Sequence, residues 1–121
     1  MSARRWAPPL AWAAVILILT SIPGPDLPID LTGIDKLAHF GSYFVLGLLA
    51  SRAALQRESG WKRALLVIAA IAILGALDEL HQQFIPGRDM DIHDWFADSL
   101  GAIVAALAWL TFTRLRSKRI S

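Results

Sequence analysis

Asp78 to Asp98 reads DELHQQFIPGRDMDIHDWFAD. The stretch sets Asp78, Glu79, Asp89, Asp91, Asp94, Asp98, two histidines, two glutamines and Arg88 between two strongly apolar segments. Ionisable groups beside a run apolar enough to span a bilayer are costly to desolvate, so they mark function unless something pairs or hydrates them. Whether the interruption is a loop or the polar ends of two helices decides the fold.

Around it lie 121 residues, 55% of them apolar, with a mean hydropathy of +0.50. That is too apolar for an ordinary water-soluble domain of this size, so residues 1–121 are expected to form a single membrane domain. The chain has no cysteine, which excludes disulfides and thiolate zinc sites. A net charge of +2 does not point to nucleic acid, because the bases fall in short clusters between apolar spans. No nucleic-acid partner is expected.

Four spans are predicted, over about residues 8–22, 35–54, 64–84 and 92–112. The first follows Arg4 and Arg5, begins at Pro8 and Pro9, which suit a first helical turn, and is anchored by Trp6. A cleaved signal peptide is the rival reading of that segment, but TSIPGPD (Thr20 to Asp26) offers no evident small-x-small cleavage site. Ile22 to Gly33 carries three prolines with Asp26 and Asp30, and reads as an extended acidic loop. Ser51 to Arg63 reads as a polar turn, with Glu58 as its one acid, and Ile85 to Met90 as a tight turn around Pro86 and Gly87.

Charge sets the expected orientation. Arg4, Arg5, Arg52, Arg57, Lys62, Arg63, Arg114, Arg116, Lys118 and Arg119 fall on one side of a four-span arrangement, leaving Lys36 and Arg88 on the other. By the positive-inside rule this is an all-α, four-transmembrane-helix bundle with N-terminus and C-terminus cytoplasmic, and the Asp78 to Asp98 stretch faces outward.

At 100° per residue, Asp35, His39, Ser42 and Tyr43 share one face of the second helix, with Lys36 beside it. On the third, Asp78, His81 and Gln82 lie together, and Glu79 and Gln83 form a neighbouring stripe. On the fourth, Asp91, Asp94 and Asp98 line one side, which Gly101 and Ala105 continue into the bundle as small residues that let another helix approach. Six carboxylates (Asp35, Asp78, Glu79, Asp91, Asp94, Asp98) then converge with only Lys36 and Arg88 as permanent cations. Such a set cannot stay fully ionised without compensation, so some acids are protonated or a cation completes the balance.

Plainer roles compete with each assignment. Asp35 and Lys36 suit a helix start, His39 an interhelical hydrogen bond, and Tyr43 packing. Asp89 and His93 read as solvated bystanders. Arg88 suits either a lipid phosphate or an internal carboxylate. Asp78 and Asp98, the deepest acids, suit either a structural salt-bridge network or a ligand or proton role. No compact signature such as HExxH occurs, so no metal site is expected, and neither Ser42 nor Ser99 has the context of an activated nucleophile.

Asp35-Lys36-x-x-His39-Phe40-x-x-Tyr43 and Asp78-Glu79-x-x-Gln82-x-Phe84-x-Pro86-Gly87-Arg88-x-x-Asp91-x-x-Asp94-x-x-Ala97-Asp98-x-x-Gly101 resemble the VanZ-like family of small bacterial membrane proteins. The family pattern usually has asparagine where this chain has Asp98, so the chain adds an ionisable group there. The resemblance implies a multi-pass protein of the bacterial cytoplasmic membrane and cell envelope, whose namesake lowers susceptibility to the glycopeptide teicoplanin.

Two function classes follow. In the first, the outward acidic pocket, made of Asp35, Lys36, His39, Tyr43, Asp78, Glu79, Gln82, Arg88, Asp91, Asp94 and Asp98, binds an envelope lipid, a cell-wall precursor or a glycopeptide. In the second, an intramembrane enzyme uses Asp78, Glu79 or Asp98 as acid or base and His39 or His81 as proton shuttle, with Arg88 and Lys36 holding a phosphate.

Overall fold

The first helix begins earlier than its prolines suggest. In the computed structural model, which describes residues 3–24, 32–55 and 60–120, α1 runs Ala3–Ser21 with Pro8 and Pro9 inside it. Each proline removes a backbone donor, but so near the helix start only the first-turn carbonyls lose a partner. Three more helices follow: α2 (Thr32–Ala54), α3 (Trp61–Gln82) and α4 (Ile92–Ile120).

The chain is therefore all-α, as expected, with shifted boundaries. α2 and α3 each start three residues before the predicted spans, and α3 ends at Gln82, where the turn takes over. The largest correction is to α4, which continues through the basic tail to Ile120 instead of ending at 112. Arginine and lysine are good helix formers, and cations favour the negative end of a helix. Asp26 and Asp30 of the expected loop, and Arg57 and Glu58 of the polar turn, lie outside the described residues.

α3 and α4 are long and apolar enough to cross a membrane. α1 and α2, of 19 and 23 residues, have comparable length but are diluted by Arg4, Arg5 and two prolines, and by Asp35, Lys36, His39 and Arg52.

α2 is the centre of the bundle. It packs on every other helix and most extensively on α4, whereas α1 packs on α2 and α3 but not on α4. Small residues make the α2–α4 seam: Ala102, Ala105 and Ala106 are fully buried. A Cβ added at Gly101 would come 2.5 Å from the Phe40 carbonyl oxygen, and one at Gly47 would come 2.7 Å from the Ala105 Cβ. Large apolar side chains point the other way, with Leu66 70%, Leu37 69% and Ile73 62% exposed. A water-soluble fold buries such residues first; an apolar exterior around a small-residue interior suits lipid.

Two indoles tie the helices together. Trp12 Nε1 donates to the Ser42 carbonyl at 2.8 Å, joining α1 to α2, and Trp95 Nε1 donates to the Ala72 carbonyl at 2.8 Å, joining α4 to α3. Interhelical bonds of this kind average about 0.6 kcal/mol each in a membrane. Close packing along the α2–α4 seam therefore carries more of the assembly than they do.

Candidate functional site

One end of this bundle collects the acids. On α2, Lys36, His39 and Tyr43 lie one turn apart, so their side chains rise along a single face. That face meets Asp94 and Asp98 of α4 and Asp78, Glu79 and Gln82 of α3, all of which are buried.

His39 is the hub. Its Nδ1 lies 2.8 Å from Asp98 Oδ1 and 3.9 Å from Glu79 Oε1, while Nε2 lies 3.5 Å from Asp94 Oδ2 and 3.9 Å from Asp35 Oδ1. Lys36 Nζ closes the upper layer, donating to Asp91 Oδ2 at 2.7 Å and to Asp94 Oδ1. The Lys36 ammonium and the His93 backbone N–H hold the Asp91 carboxyl below its ordinary range, at about 2. The same Asp91 side chain accepts from the His93 amide at 2.9 Å, the position of an N-cap on α4.

Asp78 forms a lower layer. Tyr43, 1% exposed, donates its hydroxyl to Asp78 Oδ2 at 3.3 Å. Thr20 Oγ1 of α1 reaches Asp78 Oδ1 at 2.7 Å. Glu79 accepts from Gln82 Nε2 at 3.3 Å and from the Asp91 amide at 3.2 Å, which ties the end of α3 to the start of α4. Asp98 Oδ2 is buried with no hydrogen-bond partner among the described residues, and it lies 3.3 Å from where a Cβ on Gly75 would be.

The structure brings Asp35, Lys36, His39, Tyr43, Asp78, Glu79, Gln82, Asp91, Asp94 and Asp98 to one end of the bundle, with Tyr43 and Asp78 as a separate pair below the residues joined through His39 and Lys36. Arg88 is not among them. Its Nε donates to the Ile22 carbonyl at 2.7 Å and Nη2 to the Leu19 carbonyl at 3.2 Å, so it caps the C-terminal end of α1. His81 is also apart: it is exposed, whereas Glu79 is buried beside Asp78, so the inward stripe of α3 is Asp78, Glu79 and Gln82. Helical periodicity alone allows either pairing. Asp89 and His93 are exposed, but the His93 Nδ1 lies 3.1 Å from Asp91 Oδ1, so His93 touches the rim of the set. Thr20 escaped sequence reasoning; its signal was a hydroxyl near the end of an otherwise apolar run.

Two triads could hold a metal ion: His39, Glu79 and Asp98, and Asp35, His39 and Asp94. Within each, one ligand atom per residue falls within 4.8 Å of the others. One imidazole and two carboxylates would suit a divalent ion of intermediate hardness. The ligands come from three helices, which is why no compact motif announces them.

Two helices long and apolar enough to cross a membrane, packed around a buried set of ionisable groups, are features of a membrane protein. The chain belongs to the VanZ/LLP1 family, whose model matches residues 4–113. A similar protein, the uncharacterized protein C11E3.10 of Schizosaccharomyces pombe (strain 972 / ATCC 24843), is 31% identical over 114 residues, covering 92% of this chain and 68% of that one. No solved structure matches the chain.

Proposed function

We propose that this protein is a four-span protein of the bacterial cytoplasmic membrane with both termini cytoplasmic. In this reading its outward-facing acidic end binds the polar head of an envelope lipid, a cell-wall precursor or a glycopeptide antibiotic, or alters how such a molecule is presented. One observation carries it: apart from Asp98 Oδ2, the oxygens of the buried carboxylates already have donors within the bundle, while the charged rim above them is open. Asp78 is held by Thr20 and Tyr43, Glu79 by Gln82 and the Asp91 amide, and Asp98 by His39. Such a network is a rigid scaffold. At the rim, the side chains of Lys36, Asp35 and Asp91 are 28%, 46% and 37% exposed and present one cation among carboxylates. That excess of acid favours a ligand carrying an amine. A eukaryotic relative favours a membrane lipid over a peptidoglycan precursor.

The second reading is acid–base catalysis on a lipid or lipid-linked substrate at the outer leaflet. The 2.8 Å contact between His39 and Asp98 favours it, because a carboxylate on one ring nitrogen fixes the imidazole for proton transfer at the other.

Native mass spectrometry from mild detergent, with lipid identification, separates the two when combined with whole-cell lipid profiling. Wild type is expected to retain an amine-bearing head-group class that Asp35→Asn with Lys36→Gln loses. The cellular lipid profile of a folded Asp78→Asn variant is expected to match wild type. A changed profile would move the conclusion to catalysis. If wild type retains nothing and its deletion alters neither envelope composition nor glycopeptide sensitivity, the binding reading fails. Adding manganese or zinc to the same samples shows whether the His39 triads take up an ion.

A further inference from the structure

At the end of the bundle opposite the carboxylates, α1 and α4 stand apart. A cavity of about 880 Å³ lies between them, walled at its back by α2. Arg4 and Arg5 of α1, Arg52 of α2 and Arg116 of α4 line it, and among the described residues no carboxylate does. A cleft lined by one sign of charge focuses its field on the space it encloses.

Three features separate this cavity from the scattered bases that flank any membrane span. First, all of these arginines are exposed, but Arg4, Arg5, Arg52 and Arg116 line one cavity from three helices, whereas Arg63 and Arg114 do not. Second, all four are arginine, whose planar fork matches the oxygens of a phosphate in a way that lysine does not. Third, Trp109 on the same wall has a buried Nε1 donor with no hydrogen-bond partner among the described residues. Buried donors are normally satisfied, and a small rotation of this indole toward an acceptor held in the cavity would satisfy it. Leu49, Leu55 and Pro8 add apolar lining.

We propose that this cavity binds the phosphate head group of an anionic membrane phospholipid. Basic pockets between membrane helices on the positive side have the chemistry for such heads. The cavity's size is within the range that encloses small ligands. Guanidinium forks from three helices surround the phosphate, and the acyl chains leave between α1 and α4. The bound lipid bridges α1 and α4, the one helix pair that does not pack together among the described residues. This site is independent of the acidic end, and either assignment can fail without the other.

The test uses the full chain in neutral detergent, offered equal amounts of phosphatidylglycerol and phosphatidylcholine and followed by native mass spectrometry. Wild type is expected to retain one phosphatidylglycerol per chain with a preference of about tenfold or more. Arg52→Gln with Arg116→Gln should abolish the preference, and Trp109→Phe, which deletes only the N–H, should weaken it. Arg63→Gln with Arg114→Gln removes the same charge outside the cavity and should leave it intact, as should Asp35→Asn with Lys36→Gln at the other end. If the glutamine pair at 52 and 116 does not fold, Arg52→Lys with Arg116→Lys keeps the charge and should still lower the preference. Equal losses from the two arginine pairs would show general surface attraction and overturn the proposal. So would no preference in wild type, or inorganic phosphate at millimolar concentration displacing the lipid completely.

Discussion

His39 has the most demanding position in the chain, because both of its ring nitrogens face carboxylates while the ring itself is nearly closed off from the surface. Asp98 is its nearest partner. Only Oδ1 of Asp98 is engaged; Oδ2 has no partner among the described residues. Asp98→Asn keeps the acceptor that His39 uses and places an amide where the unpartnered oxygen lies. It is expected to melt within about 1 kcal/mol of wild type in detergent, whereas Asp98→Ala, which strands a buried imidazole N–H, should cost about 1–3 kcal/mol. If the asparagine variant falls as far as the alanine one, the charge of Asp98, not its hydrogen bond, holds the site together.

The elements meet through their ends. The turn after α3 puts Gly87 at φ +76°, a conformation that favours glycine, and its backbone approaches Gly24, whose amide donates to the Pro86 carbonyl at 2.9 Å. Arg88 then reaches over the end of α1 to the Ile22 and Leu19 carbonyls. Its work is to fix α1 against the α3–α4 turn, which also holds Thr20 over Asp78. Arg88→Ala is expected to cost about 1 kcal/mol or somewhat more and to speed amide exchange at Ile22 and Gly24, with exchange at the start of α4 unchanged. Unaltered exchange at the α1 end would show that the cap contributes nothing.

Across the whole molecule charge is polarised. The described carboxylates gather at the ends of α3 and α4 nearest their connecting turn and at the start of α2, while every described base except Lys36 and Arg88 lies at the opposite end. The proposed four passes with both termini on the positive side rest on that distribution. Because the sequence has no cysteine, single substitutions give clean reporters. Cysteines placed at Ser2, Gly60 and Ser117 should resist an impermeant thiol reagent added to intact cells, and one at Asp89 should react. Labelling of the first group from outside would reverse the orientation. Labelling of Ser2 and Ser117 on different sides would remove a span.

The helices and much of the polar end were legible in the amino-acid order. A step of 100° per residue places Asp35, His39 and Tyr43 on one face wherever α2 sits, and the small residues Gly101 and Ala105 announce the seam of α4 before any partner is known. Rotation of one helix against another is not written in either helix. It follows from which surfaces pack closest, and here that choice turned Glu79 inward and His81 outward, although the pattern of α3 alone allows both. Only the tertiary arrangement set Thr20 on Asp78, sent Arg88 to backbone carbonyls in place of carboxylates or lipid, and left the gap between α1 and α4 that the arginines line. The sequence by itself determined four helices with an acidic end and a basic end, because composition and period act along the chain. Packing decided which of those charged groups meet, because contact between helices depends on the shape of both.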